Sequence, residues 1–149
     1  MKVLVQRCDK ASVKVDNKIV GKIDKGMLVL VGFTGTDTSE NIDYMIEKIL
    51  HLRIYDDESG VMNKSILDIG GSILSVSQFT LYADTKKGRR PSYVNALNGE
   101  KAIILYDEFN EKLKKYIHVE TGIFGAEMKV ELINDCPVTI MLENNQKKS

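Results

Sequence analysis

The chain has 149 residues, of which 43% are hydrophobic, and this suits a single globular domain spanning residues 1–149. Its 21 basic and 21 acidic side chains cancel, so no overall field draws the protein towards nucleic acid. This excludes a strongly basic nucleic-acid-binding protein. An enzyme that needs only a few phosphate contacts remains compatible with it.

Cysteine and histidine are too few for a structural metal site of the usual kind. The two cysteines, Cys8 and Cys136, and the two histidines form no close-spaced pair, so we expect no metal and no cofactor. The cysteine count leaves a disulfide open. No apolar run approaches the roughly 20 residues that span a bilayer, and the stretch MKVLVQRC lacks the apolar core of a signal peptide. We therefore expect a reduced, cytoplasmic protein with no membrane contact.

The first third of the chain has the residue pattern of β-strands. KVLVQR begins a strand that is predicted to turn near CDKA, SVKV alternates, and IVGKI resumes the pattern after DNK. MLVLVGF is a continuous apolar run, typical of a strand that is covered on both faces.

Two segments have helical spacing, one predicted from Ser39 to Leu52 and one from Gly99 to Ile117. Between them, DDESG is a loop and SILSVSQFTLYAD predicts a second buried strand. GIFG, MKVELIN and VTIML complete the sheet, and the polar tail ENNQKKS is expected to fray. In this pattern strands predominate, and two helices are available to cover one face of the sheet.

Three polar side chains, Ser77, Gln78 and Thr80, follow the buried part of SILSVSQFT. Serine and threonine are common in strands, so the pattern fits an ordinary solvent-facing strand end as well as a site. A nucleophilic Thr80 would need a base within hydrogen-bond reach. His51 and His118 both flank helices and lie far away in the sequence.

The loop DTKKGRRPSY carries four cations, Lys86, Lys87, Arg89 and Arg90. Such a cluster can grip phosphate through charge and through bidentate arginine contacts, although most charge runs are simply solvated. Its position directly after SQFT favours the functional interpretation.

The stretch NDCPVTIML places Cys136-Pro137 between two strand-like runs, although proline donates no hydrogen bond to a sheet. A thiolate nucleophile needs a nearby cation, metal or helix N-terminus, whereas the neighbour here is Asp135. A backbone role is more plausible, because a bond to proline adopts the cis form for only about 0.5–1 kcal/mol.

Together these stretches resemble the D-aminoacyl-tRNA deacylases, dimeric editing enzymes also called D-tyrosyl-tRNA deacylases. The resemblance covers essentially the whole chain, through VQR, GKIDKGMLVLVGF, SQFTLYADTKKGRRPSY, FGAEMKVELIND and PVT. SQFTL and the proline motif at this mutual distance are a far more specific pair than either motif alone.

The resemblance implies a three-layer α/β/β fold, in which two helices cover stacked, largely antiparallel or mixed sheets. It implies a homodimer with two active sites at the subunit interface. The implied reaction is hydrolysis of the ester between a D-amino acid and the 3′-terminal adenosine of tRNA. Achiral glycine escapes a steric filter, so glycyl-tRNA is an implied second substrate, and the 2′-hydroxyl of the tRNA is implied to assist the chemistry.

The resemblance also assigns residues. SQFT, here Ser77, Gln78, Phe79 and Thr80, forms the catalytic segment, largely through backbone groups. The chiral filter is a Gly-cis-Pro dipeptide inserted from the other subunit, held in orientation by the residue that matches Arg7. Separately from the resemblance, we predict that tRNA contacts Lys86, Lys87, Arg89, Arg90 and Phe124.

The sequence departs from the family at this filter, because Cys136 stands where the family has glycine. In one interpretation the dipeptide stays cis with extended backbone at Cys136 and the thiol turned away. In a second, the family glycine has a positive φ, a Cβ there adds about 1–2 kcal/mol, and the motif relaxes. In a third, Sγ narrows the pocket.

Two other functions stay open at this point. One is a different hydrolase, with Cys136 or Thr80 as a covalent nucleophile. The other is a protein that binds the tRNA 3′ end without cleaving it, because the cysteine has relaxed or disabled the site. The basic loop predicts salt-dependent tRNA binding by the binding protein and by the deacylase alike.

Overall fold

A computed structural model of the chain describes residues 1–144. In chain order its elements are β1 (Lys2–Val15), β2 (Lys18–Ile23), β3 (Gly26–Gly32), α1 (Ser39–His51), β4 (Tyr55–Asp56), β5 (Met62–Lys64), β6 (Ser72–Ser77), a 3-10 helix (Phe79–Tyr82), α2 (Gly99–Leu113), β7 (Val119–Thr121) and β8 (Lys129–Glu143). Residues 145–149, most of the tail predicted to fray, lie outside the described residues.

Six of the strands form one mixed sheet around β1. Along one side, β1 pairs antiparallel with β8, and along the other it pairs antiparallel with β3 and then β2. β6 and β7 extend the sheet beyond β3 in parallel. The sheet curls so far that β2 approaches β7, where a Cβ on Gly21 would lie 2.5 Å from the carbonyl oxygen of Thr121. The fold is therefore a mixed α/β fold with a nearly closed sheet.

The sheet has an apolar cluster on each face. The larger cluster holds the buried sides of both helices against β1, β3 and β6, with Ile42, Met45 and Phe109 among its members. The smaller one joins Leu28 and Leu74 to residues of β1 and β2 inside the curl. Because β3 and β6 contribute to both clusters, they are covered on both faces, as the run MLVLVGF predicts.

Helix α1 confirms its predicted start at Ser39 and ends one residue early, at His51. Several other boundaries are corrected. The predicted turn near CDKA is wrong, because β1 continues to Val15 between two pairing partners. The second helix ends at Leu113, about one turn before the predicted end. GIFG is not a strand, since the chain turns there with Gly125 at φ 77°.

The remaining two corrections bear on the site. The predicted strand through SQFTLYAD stops at Ser77 and tightens into the 3-10 helix. MKVELIN and VTIML are parts of one long strand, β8, interrupted only by an irregularity around Cys136-Pro137. None of the helices in the described range, residues 1–144, has the length and apolar character to cross a membrane.

Candidate active site

The catalytic segment predicted from the sequence lies at the end of β6, where the neighbouring strand β3 also ends. Ser77 pairs with Val31 on β3, and the Gln78 N–H donates to the carbonyl oxygen of Val31 at 2.8 Å. β3 ends at Gly32, where even a Cβ would come within 3.0 Å of the Gln78 carbonyl oxygen. With no further partner, the chain bends into the 3-10 helix and exposes its polar groups at the strand end.

Backbone donors are the chemically useful groups of this segment. The Gln78 and Thr80 carbonyl oxygens accept from Leu81 N at 3.3 Å and Ala83 N at 3.0 Å. The N–H groups of Phe79 and Thr80 lie in the first turn, where a helix supplies no acceptor of its own. Two neighbouring N–H donors of this kind can hold a developing oxyanion.

No side-chain base accompanies the Thr80 hydroxyl in the described structure. Thr80 Oγ1 accepts from the Gln78 side-chain amide instead. His51 pairs with Glu47 at 3.4 Å, and His118 pairs with Glu120 at 3.0 Å, both on the surface. The arrangement therefore gives no support to Thr80 as a base-activated nucleophile.

A cavity of about 630 Å³ opens beside this segment. Phe79 is 55% exposed at its mouth and meets Tyr93 edge-on, with ring centroids 5.1 Å apart. Phe124 lies across the cavity and packs on Tyr106 at 5.9 Å. The rest of the lining is mainly apolar, from Phe33, Val76, Ala96, Leu97, Ala102, Met128 and Val130. A flat, apolar group such as a nucleobase fits such walls.

Tyr106 connects helix α2 to the strand that leads into the predicted catalytic segment. Its hydroxyl donates to the Ser75 carbonyl oxygen at 2.7 Å, two residues before Ser77. Burial raises the pKa of Tyr106, so the hydroxyl keeps its proton and stays a donor. Because the Tyr106 ring also packs on Phe124, this contact links the strand before Ser77 to one wall of the cavity.

The basic loop borders the cavity mouth. Reciprocal backbone hydrogen bonds of 2.8 Å between Asp84 and Ser92 close its neck, and Tyr93 follows directly. Its four cations, Lys86, Lys87, Arg89 and Arg90, are exposed. Within residues 1–144 no carboxylate forms a salt bridge with any of them. They are therefore available to an outside anion.

The proline motif forms a separate projecting loop on β8. Thr139 pairs with Gln6 and Asn134 pairs with Cys8, so residues 135–138 face a single residue of β1 and bulge outward. We call residues 135–138 the filter loop. Cys136 and Pro137 lie exposed at its tip, joined by a cis peptide bond, and Cys136 has φ 103°.

Arg7 is the β1 residue opposite the filter loop, and it is buried with 4% of its surface exposed. Its guanidinium donates to the Ile54 carbonyl oxygen at 2.7 Å and contacts the Asp135 carboxylate at 3.1 Å. Asp56 lies at 3.5 Å. The structure thus brings Arg7 against the residue that precedes Cys136.

The cavity and the filter loop lie apart within one chain. Ser77 is level with Val3 across the sheet, whereas the filter loop faces Arg7, four residues further along β1. At about 3.3 Å per residue and about 4.8 Å per strand, the offset is roughly 13 Å along and 14 Å across the sheet. No residue of the filter loop lines the cavity.

The two cysteines are both free thiols in this structure, one buried and one exposed. Burial raises the pKa of Cys8 to about 11, so it packs as a neutral side chain. No cluster of three or more histidine, cysteine or acidic side chains suited to a metal ion occurs among the described residues.

Comparison with known proteins decides the family. A family model for D-Tyr-tRNA(Tyr) deacylase matches residues 4–143. The D-aminoacyl-tRNA deacylase of Listeria monocytogenes serotype 4a (strain HCC23) is 55% identical, with 100% of this chain and 99% of that protein covered. The chain belongs to the D-aminoacyl-tRNA deacylase family.

Another curated relative and two solved structures are also similar to this chain. The D-aminoacyl-tRNA deacylase of Clostridium botulinum (strain Langeland / NCTC 10281 / Type F) is 54% identical over 98% of this chain and 99% of that protein. Among solved structures, the c-Myc DNA Unwinding Element Binding Protein has a TM-score of 0.93 at 42% identity, covering 97% and 99% of the two chains. A probable eukaryotic D-amino acid tRNA deacylase shares the fold of this deacylase, with a TM-score of 0.82 at 20% identity over 95% and 97% of the chains.

Sequence reasoning missed several residues that shape this deacylase. Tyr93 was available as a signal, since an aromatic residue follows the basic loop directly. Tyr106 lies within the predicted second helix and carries no catalytic motif, yet its hydroxyl donates a hydrogen bond to the backbone of β6. Asn134 belongs to no catalytic or binding motif that the sequence analysis identified, and its contacts are visible only in the structure.

The backbone conformation of Cys136 distinguishes in part between the three interpretations of the cysteine that replaces the family glycine. The peptide bond is cis, as in the first interpretation, but the extended backbone assumed there is wrong, since φ is 103°. The positive φ is the premise of the second interpretation. Cys136 therefore occupies a conformation that favours glycine.

Replacing Cys136 with glycine is expected to raise the free energy of unfolding by about 1 kcal/mol. A side chain at this φ adds about 1–3 kcal/mol of strain to the folded state, and glycine removes it. The greater conformational entropy of glycine in the unfolded chain offsets about 0.5–1 kcal/mol of that gain. Thermal unfolding would measure the difference. Cys136→Ala is the control, because it removes the thiol and keeps the Cβ, and equal melting temperatures for the two variants would contradict the argument.

Proposed function

We propose that this protein hydrolyses the ester of D-aminoacyl-tRNA, releasing free tRNA and a D-amino acid, and that it acts as one domain in a homodimer. The observation that carries the proposal is the position of the Ser77–Thr80 backbone at the mouth of an apolar cavity. Charged tRNA is used in translation, so the same proposal places the enzyme in the cytoplasm.

The catalytic step rests on positioning. As water attacks the ester carbonyl, the developing oxyanion accepts hydrogen bonds from the Phe79 and Thr80 N–H groups. The water oxygen bonds to the carbonyl carbon and its proton passes to the departing 3′-oxygen of the tRNA. With no histidine or carboxylate among the residues lining the cavity, the neighbouring 2′-hydroxyl of the substrate is the proposed proton relay.

The cavity is proposed to hold the terminal adenosine. The adenine ring would lie between the apolar walls and the Phe124 ring. The ester bond would then lie next to Phe79 at the cavity mouth. The basic loop would then face the phosphates that precede the terminal nucleotide. This assigns Phe124 and the four loop cations to tRNA contact.

Rejection of L-amino acids is proposed to come from the filter loop of the second subunit. Within one chain the loop lies far from the cavity, and its exposed tip projects away from the sheet. Among residues 1–144, β8 pairs only with β1, so one side of its 15 residues is an edge that a second copy can cover. In the dimer, the two halves of the curled sheet supply the two β layers of the three-layer arrangement.

A steric wall suits this task better than attraction. Attractive contacts discriminate groups that differ by about one methylene by only about 1–3 kcal/mol. The loop at Cys136-Pro137 would instead occupy the space of an L side chain, and a D side chain would point elsewhere. Glycine carries no side chain, so glycyl-tRNA is proposed as a further substrate.

A deacylation time course with D-tyrosyl-, L-tyrosyl- and glycyl-tRNA tests this function, with light scattering on the same sample to measure the mass. We expect cleavage of the D-tyrosyl and glycyl esters, survival of the L-tyrosyl ester, and twice the mass of one chain. Binding of charged tRNA without cleavage would overturn the deacylase proposal. Equal cleavage of both tyrosyl esters would overturn the filter.

Neutralising the basic loop is expected to weaken tRNA binding and to lower its salt dependence. Removing four phosphate contacts from the single-stranded end reduces the slope of log affinity against log salt by about 3. Filter binding at several salt concentrations measures this slope for a variant with glutamine at Lys86, Lys87, Arg89 and Arg90.

The control removes the same charge from an exposed region away from the cavity. It carries glutamine at Lys14, Lys18, Lys22 and Lys25. If both variants change the slope equally, the effect comes from net charge and the loop has no special role.

A further inference from the structure

The filter loop interrupts the longest strand pair in the molecule. β1 and β8 pair from Lys2 opposite Glu143 to Lys14 opposite Lys129, and the register shifts on both sides of Cys8. Residues 135–138 therefore receive no regular ladder support from β1. Side chains have to hold the loop if its tip is to keep one position.

One side chain closes the neck of this loop. Asn134 Oδ1 accepts from the Val138 N–H at 3.1 Å, and Asn134 Nδ2 donates to Thr139 Oγ1 at 2.8 Å. The amide thus joins the residue before the loop to the last loop residue and to the residue after it. It thus supplies two hydrogen bonds at the place where the ladder between β1 and β8 is irregular.

The same contact reaches back to β1. Thr139 Oγ1 also accepts from Gln6 Nε2 at 3.4 Å, and Gln6 is the last β1 residue in register before the gap. On the other side of the loop, Asp135 meets the buried Arg7 at 3.1 Å. The loop is therefore held at both ends, by a charged pair at its start and by the Asn134 amide across its neck.

We propose that Asn134 is a positioning residue for stereochemical discrimination. By fixing Val138 and Thr139, its side-chain amide sets how far Cys136 and Pro137 project from the sheet. This inference rests on the proposed function, since it gives Asn134 a role in the filter that acts on the partner's cavity. Asn134 touches no substrate in this arrangement and acts only through the loop.

The position of these groups argues for control of the tip rather than for general stability. Asn134 is half-buried and Thr139 is exposed, and neither belongs to an apolar cluster. Val138 is the only loop residue in the main core, and its N–H is the group that Asn134 binds. Loss of the amide therefore frees the loop while the core contacts of the Val138 side chain remain.

The test compares three substitutions with a control on the same strand. Asn134→Ala removes both hydrogen bonds, Asn134→Asp keeps the acceptor for Val138 N–H, and Thr139→Val removes the acceptor for Asn134 Nδ2. Glu131→Ala, at an exposed β8 position, is the control. For each protein, the initial rates on L-tyrosyl- and D-tyrosyl-tRNA are measured in parallel, and amide exchange at Val138 is followed by NMR.

For Asn134→Ala we expect at least a tenfold rise in the ratio of L to D cleavage and at least tenfold faster exchange at Val138. Asn134→Asp should keep the slow exchange at Val138 and most of the discrimination against the L ester. For Thr139→Val, both the exchange rate and the L to D ratio should lie between those of Asn134→Asp and Asn134→Ala. The ratio is insensitive to partial unfolding, because both rates scale with the amount of folded enzyme. Glu131→Ala should leave the ratio unchanged.

Faster Val138 exchange in Asn134→Ala with an L to D ratio within twofold of the starting protein would overturn the inference. So would an unchanged exchange rate, since the hydrogen bond would then not hold the loop. If the starting protein cleaves neither ester, the proposed function itself fails and the inference falls with it. That outcome is distinct from a selective enzyme whose selectivity ignores Asn134.

Discussion

Replacing Phe79 with proline is expected to lower kcat for D-tyrosyl-tRNA about 100- to 1000-fold relative to Phe79→Ala, the usual effect of losing one oxyanion donor. Proline removes the Phe79 N–H, and alanine keeps it. Both substitutions delete the aromatic ring, so the ratio between them isolates the backbone donor. Single-turnover deacylation gives the rate of the chemical step.

The local backbone accepts proline at this position. Phe79 is the first residue of the 3-10 helix, where proline fits because its N–H has no partner within the helix. Gln78 has φ −145° and a positive ψ of 85°, outside the helical region that proline disfavours in the preceding residue. Similar melting temperatures for the two variants are the control. Equal kcat values would show that Phe79 N–H does not hold the oxyanion, and would leave Thr80 N–H as the donor.

The elements that the sequence predicts well are those whose burial follows one simple period. Helix α1 has its apolar residues on a single face and a capping box at Thr38, so its predicted start is confirmed at Ser39. β3 was predicted from an uninterrupted apolar run, and both of its faces are covered. In such segments, local propensity and tertiary burial favour the same structure.

Other elements depend on partners that are distant in the sequence. CDKA resembles a turn, yet β8 pairs with it on one side, and on the other side β3 pairs with Cys8 and β2 with Ala11. SQFTLYAD resembles a strand, yet β3 ends and provides nothing to pair with beyond Ser77. Tertiary pairing overrode local preference in both cases.

The site divides in the same way. Motifs alone brought Ser77–Thr80 and the basic loop together, because they are adjacent in the chain. The pairing of Arg7 with Asp135 joins residues far apart in sequence, and only the resemblance pointed to Arg7. The positive φ of Cys136 could be expected only from the glycine that the family has at this position, since the cysteine itself argues against it.

Arg7→Ala is expected to loosen the filter and to lower the free energy of unfolding by about 2–4 kcal/mol, because it leaves a buried carbonyl and a carboxylate without their partner. The carbonyl is that of Ile54 and the carboxylate that of Asp135. The ratio of L-tyrosyl to D-tyrosyl cleavage should rise at least tenfold in the Arg7→Ala protein. Thermal unfolding and paired deacylation rates measure the two effects.

Mixed dimers then show which subunit supplies the filter. Ala96 lines the cavity, so Ala96→Trp fills it and inactivates that subunit's site while leaving its filter loop intact. When Arg7→Ala chains are refolded with an excess of Ala96→Trp chains, almost every open cavity belongs to an Arg7→Ala chain and faces an intact loop from its partner. The ratio of L to D cleavage should return to that of the starting protein. A ratio that stays raised would mean that each chain filters its own substrate, because the partner's intact loop would have been present and without effect. That result would remove the physical reason for the proposed dimer.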